Sequence, residues 1–179
     1  LDAAYQLFAD ASWQFGWRSA CLYEMACIDC VRGERALAVE HLTEALVTNA
    51  HHLAAHTLRA YLTRNEEELH QVLALSPQDT YARYALWLLT GREVEAFIRS
   101  RPQDVIDAAL AFMRAGLNTE AASVLKTCTC PNQLVACYEA YVTGGTFEAS
   151  EMKLCFPNRL EDIAVLAHFP QTWQAQYLL

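Results

Sequence analysis

Six glycines and five prolines are all that this 179-residue chain contains. From Gly33 onward they stand where apolar patterning pauses: Gly33, Pro77, Gly91, Pro102, Gly116, Pro131, Gly144 with Gly145, Pro157 and Pro170. Glycine ends helices by opening left-handed backbone, and proline by removing a donor and fixing φ. The segments between these marks run about ten to sixteen residues, the length of ordinary globular helices. Inside them apolar residues recur at three- and four-residue steps, as in Leu37, Val39, Leu42, Ala45 and Leu46, or Ala108, Ala111, Phe112 and Ala115. No run alternates with the two-residue period of a strand. The pattern predicts an all-α chain, with helices over 2–14, 18–32, 35–48, 52–64, 66–75, 79–90, 93–100, 103–115, 118–127, 132–143, 147–154, 158–168 and 171–179. Short turns between them should fold consecutive helices into antiparallel hairpins.

Composition narrows what such a chain can do. A hydrophobic content of 54% supplies a core. A net charge of −8, with 13 dispersed basic residues, argues against nucleic acid as a partner, because phosphate binding needs clustered Lys and Arg. The longest weakly charged stretch, Ile163 to Leu179, is broken by Pro170 and carries His168, Gln171, Gln174 and Gln176, so no membrane span is expected. Seven cysteines, an odd number beside an ample apolar core, fit reduced thiols in the cytoplasm. The chain opens at Leu1 without a signal-peptide pattern. Its last stretch, PQTWQAQYLL, reads as the opening of another helix, with Trp173 and Tyr177 four apart. Both ends lead us to expect a piece of a longer protein whose uncapped ends can associate.

The clearest unit is YEMACIDCVRGERALAVEHLTEAL, Tyr23 to Leu46. Small residues fall where two helices must approach closely: Ala26 seven before Gly33, then Ala38, with Leu42, Ala45 and Leu46 following. This resembles a tetratricopeptide repeat, with Asp29 where that family usually has an aromatic and Ala50 where it usually has proline. Two later stretches repeat the theme, HHLAAHTLRAYLTRNEEELHQVLALSPQD and DVIDAALAFMRAGLNTEAASVLKTC, at intervals that vary around ~34 residues. The succession from GERALAVEHL through LALSPQDTYARYALWLLTG to CFPNRLEDIAVL also resembles the helical portion of a family of long bacterial proteins of unknown function. In that family a β-rich, mutarotase-like, carbohydrate-associated part precedes tetratricopeptide-type helices. The resemblance implies a degenerate, right-handed, tetratricopeptide-like solenoid over 1–179, and it carries over no catalytic residue.

Candidate chemistry was weighed against packing. Cys27 and Cys30 form a CxxC, but zinc wants four ligands in a closed tetrahedron, and Cys128-Thr-Cys130 lies far along the chain. Redox CxxC chemistry wants the motif after a strand at a helix start. Small, half-buried thiols are the expectation. By the repeat alignment, Tyr23, Cys27, Cys30 and Val31 should line the concave groove. His52 and His56 lie one helical turn apart but lack the intervening Glu of a metalloprotease motif. Glu66-Glu67-Glu68 reads as a helix start, where negative charge meets the positive end of the backbone dipole. Trp13, Trp17, Trp87 and Trp173 read as packing residues. No phosphate loop, GxGxxG or GxSxG occurs. The expected function is therefore a scaffold without catalytic, metal or cofactor residues, holding a protein partner or a neighbouring domain of its own chain. Two alternatives are the helical portion of a bacterial carbohydrate-processing enzyme and a self-association module.

Overall fold

The structure is a computed structural model, and it describes residues 1–92, 101–130, 132–147 and 160–169. Among them every regular element is a helix: α1 (Asp2–Ala11), α2 (Phe15–Arg32), α3 (Arg35–Thr48), α4 (Leu53–Thr63), α5 (Glu66–Leu75), α6 (Thr80–Thr90), α7 (Pro102–Arg114), α8 (Asn118–Leu125), α9 (Gln133–Thr143) and α10 (Leu160–His168). The helices expected over 93–100 and 171–179 lie outside the described residues, as does that over 147–154 but for Phe147. None of the described helices is long and apolar enough to cross a membrane.

How the helices end gives the chain its rhythm. The positive-φ residues are Gly33, Arg64, Gly91, Gly116 and Gly144, spaced 25 to 31 residues apart. They follow α2, α4, α6, α7 and α9, whereas α3 and α5 end on Asn49 and Ser76 with φ near −140°. Left-handed ends let the chain reverse and satisfy the last carbonyls, as when Gly33 and Glu34 donate to Cys30 and Asp29. Side-chain caps start several helices: Asn65 accepts from Glu68, Asp79 from Ala82, and Asn132 from Leu134 and Val135. Gly116 is held to glycine twice over, since its φ is 67° and a Cβ there would come within 2.9 Å of Val31 on α2.

Each helix packs on the next in sequence, and α4 also packs on α6, and α7 on α9. The residue seven before each left-handed position, namely Ala26, Thr57, Tyr84, Ala109 and Cys137, is exposed by 1% or less. Ala38 and Ala121, five after Gly33 and Gly116, are fully buried as well. Added volume at such a contact forces two helices apart. Ala38→Leu is expected to cost ~1–3 kcal/mol in urea unfolding, whereas Thr43→Leu, on the exposed face of α3, should change stability little. Equal tolerance at the two positions would mean that these faces are reversed.

The first two helices depart from expectation. Ser12 donates to the Ala9 carbonyl as α1 ends, and extended Gln14 starts α2 three residues earlier than the sequence pattern indicates. The break turns side chains at this corner outward, so Trp13 is 85% exposed and Trp17 and Phe15 are also exposed. Trp13 and Trp17 are therefore not packing residues. Trp87 meets Tyr84 edge to face, and Trp173 lies outside the described residues.

Candidate functional site

A cavity of about 770 Å³ opens between helices spread along the chain. Tyr23 and Glu24 of α2 form one wall; His52 and Ala54 stand at the start of α4, Asp79 and Tyr81 at the start of α6. Asp107 and Arg114 of α7 and Glu161 of α10 complete the rim. Neither α3, α5 nor α8 contributes a residue. Four of the five helices that end left-handed, α2, α4, α6 and α7 but not α9, thus line the cavity together with α10.

Among the described residues its lining carries four carboxylates, Glu24, Asp79, Asp107 and Glu161, and one guanidinium, Arg114. Arg114 donates to Glu161 at 2.6 Å and lies in the field of Glu24, both of which hold its charge in place. Asp79 also serves the backbone, accepting from Ala82 at 2.8 Å. His52 shares a hydrogen at 3.0 Å with Ser19, and its ring lies 5.1 Å from Tyr23; burial lowers its pKa, so it is neutral at pH 7. Burial keeps the Tyr23 and Tyr81 phenols protonated well above their usual range. The Tyr81 hydroxyl, buried in a residue only 7% exposed, has no hydrogen-bond partner among the described residues.

The side chains expected along a groove are divided. Tyr23 lies on the cavity wall, while Cys27 beside it is only 2% exposed, with the Tyr23 hydroxyl against its thiol. Cys30 is half-buried, and Val31, exposed at the end of α2, meets the Gly116 turn. Tyr81 of α6 lies in the field of Cys27 and Cys30, and Phe112 of α7 packs edge to face on Tyr81 and on Tyr61. Burial pushes the Cys27 thiol up to about 12 and the Cys30 thiol up to about 11. Both are therefore thiols at neutral pH and poor nucleophiles. Alkylation at pH 8 should mark exposed Cys130 quickly and Cys27 only on unfolding, as mass spectrometry of digests would tell. Above pH 9 the unfolded chain loses these protons before the folded chain does, so stability should fall as pH rises from 9 toward 11 and 12.

His52 and His56 do not act together. His56 turns both ring nitrogens to other partners, Nδ1 to Glu68 at 2.7 Å and Nε2 to the Ala50 carbonyl at 3.0 Å. Among the described residues no three His, Cys, Asp or Glu side chains converge on a metal site. Glu66 does begin α5, but Glu68 is buried and also accepts from Arg59, a pairing invisible in a run of three glutamates. Asp29, standing where a tetratricopeptide repeat usually has an aromatic, is 0% exposed and accepts from His41 at 2.7 Å. No protein-family model, curated protein or solved structure matches the chain.

Proposed function

We propose that this chain is a degenerate, right-handed, tetratricopeptide-like solenoid of antiparallel helix hairpins that holds a segment of a protein partner, or of a neighbouring domain, on its concave side without performing chemistry. One observation carries the reading: the cavity is walled by α2, α4, α6, α7 and α10 and by no residue of the intervening α3, α5, α8 and α9. In an array of helix hairpins the first helices face a common inner surface and the second helices the outside, so such a cavity is where an extended ligand would lie. The recurrent left-handed endings and the packing of α4 on α6 and α7 on α9 support the same arrangement. Fold alone selects no ligand, so the test concerns the place of binding. Peptides selected from a random library on the purified protein should lose binding to Ala20→Trp, which fills the cavity wall, and keep it with Val47→Trp on exposed α3. Peptides that ignore Ala20→Trp would end the groove reading.

A second reading, self-association, is favoured by the exposed Leu7, Trp13, Phe15 and Trp17 around the α1–α2 corner, since contiguous exposed apolar surface marks interaction sites. Sedimentation over a concentration range would reveal it. Replacing Trp13 and Trp17 by serine should then abolish the association.

A further inference from the structure

We propose that Cys128 and Cys130, separated by one residue in the connection from α8 to α9, form a thiol–disulfide exchange site that low-molecular-weight disulfides such as glutathione disulfide convert reversibly into an internal disulfide. Neither residue lines the cavity, so the site does not depend on what the cavity holds.

Exposure singles out this pair. Among the described residues Cys130 is the exposed cysteine and Cys128 is half-buried, whereas Cys21, Cys27 and Cys137 are buried. Cys30 is half-buried too, but burial pushes its thiol up to about 11. Exchange needs a sulfur that a disulfide in solution can reach, and Cys130 offers one. Geometry supplies the second thiol. Residues i and i+2 are never more than ~7.6 Å apart at Cα, two trans-peptide steps of ~3.8 Å. A disulfide needs them within ~4.4–6.8 Å, a range that a bent chain reaches easily. The connection is bent, since the Cys128 thiol donates back to the Cys130 carbonyl at 3.4 Å and the chain turns at Cys130. Its two ends are also held. Thr127 donates to the Val124 carbonyl at 2.7 Å and lies 2.9 Å from the Tyr84 hydroxyl of α6, and Asn132 caps α9 by accepting from Leu134 and Val135. Two sulfurs kept in one short loop make the second step of exchange intramolecular, and hence faster than attack by a free thiol.

In the first step the Cys130 thiolate attacks one sulfur of glutathione disulfide. That S–S bond breaks, a Cys130–glutathione bond forms, and one glutathione thiolate leaves and takes up a proton. The Cys128 thiolate then attacks the Cys130 sulfur and expels the second glutathione in the same way. Two cysteine thiols are oxidised, one glutathione disulfide is reduced to two glutathiones, and excess glutathione reverses both steps. A ring closed over so few residues removes little entropy from the unfolded chain, so the bond acts as a switch rather than a staple.

The test incubates the reduced full chain with glutathione disulfide, quenches with acid, alkylates the remaining thiols and maps them by mass spectrometry of digests. The native protein should carry a bond between Cys128 and Cys130 and no glutathione on either. Cys128→Ser should instead hold one glutathione on Cys130, and Cys130→Ser should form no internal disulfide. Reduced glutathione should reopen the native ring, and the oxidised protein should melt no higher than the reduced one. Circular dichroism melts show whether the variants are folded. If the native protein also accumulates glutathione on Cys130, Cys128 does not resolve it and the proposal fails. It fails as well if Cys130 pairs with any other cysteine or with a second copy of the chain, if the bond resists reduced glutathione, or if neither thiol reacts before the protein unfolds.

Discussion

Replacing His41 by alanine is expected to destabilise the protein by ~3–5 kcal/mol, because it strands a buried carboxylate. Asp29 is completely enclosed, its Oδ2 accepts from His41 at 2.7 Å, and its Oδ1 has no hydrogen-bond partner among the described residues, with the Arg32 guanidinium at 4.0 Å. Without the imidazole, one distant, partly exposed arginine is left to answer the charge. The pair also joins α2 to α3, and Tyr5 of α1 lies against His41 and beneath Arg32, so the loss should spread to the first helix. Replacing both partners by leucine removes the charge together with its need for a partner, and the double variant should recover most of the lost stability. Urea unfolding followed by circular dichroism measures all three proteins. A loss below about 1 kcal/mol for His41→Ala would mean that this hydrogen bond does not hold α3 to α2.

The same pair illustrates what the sequence could and could not tell. Helices were legible because their causes are local: Gly33, Gly91, Gly116 and Gly144 each follow a helix, and Asp79 and Asn132 cap the next ones. Ala26 and Ala38 were legible as contact points because a small residue seven before a turn and another five after it face each other across a hairpin. Arg64 was harder, since an arginine at φ 57° leaves no mark of its own, and only the neighbouring Asn65 cap betrays the turn. Asp29 with His41, and His56 with Glu68, are partners across a turn, and each residue taken alone looks like a surface group. The cavity is further from reach, because Tyr23 and Glu161 line it from helices far apart in the chain, an arrangement that no local pattern encodes. Cys27 looked like a groove residue on its own helix, but it is 2% exposed, with Tyr81 of α6 near it and Phe112 of α7 arriving against that ring.

Phe112→Ala tests that arrival. Phe112 is fully buried in α7, with its ring 5.5 Å from Tyr61 of α4 and 4.9 Å from Tyr81 of α6, both edge to face. Truncating a buried phenylalanine costs ~3–5 kcal/mol, at the upper end where neighbours cannot collapse into the space. Here they are rings held from elsewhere, since the Tyr61 hydroxyl donates to Glu120 at 3.0 Å. The position of the loss matters as much as its size. Phe112 ties α7 to α4 and α6 earlier in the chain, while α8 and α9 also pack on α7. In an array stabilised by contacts between neighbours, weakening one interior junction lets the two sides unfold separately. The variant should therefore unfold in two steps, with alkylation of Cys27 rising in the first, whereas Phe112→Leu, which keeps most of the volume, should stay closer to a single transition. If Phe112→Ala unfolds in one step with less than about 1 kcal/mol lost, Phe112 is not what holds α7 against Tyr61 and Tyr81.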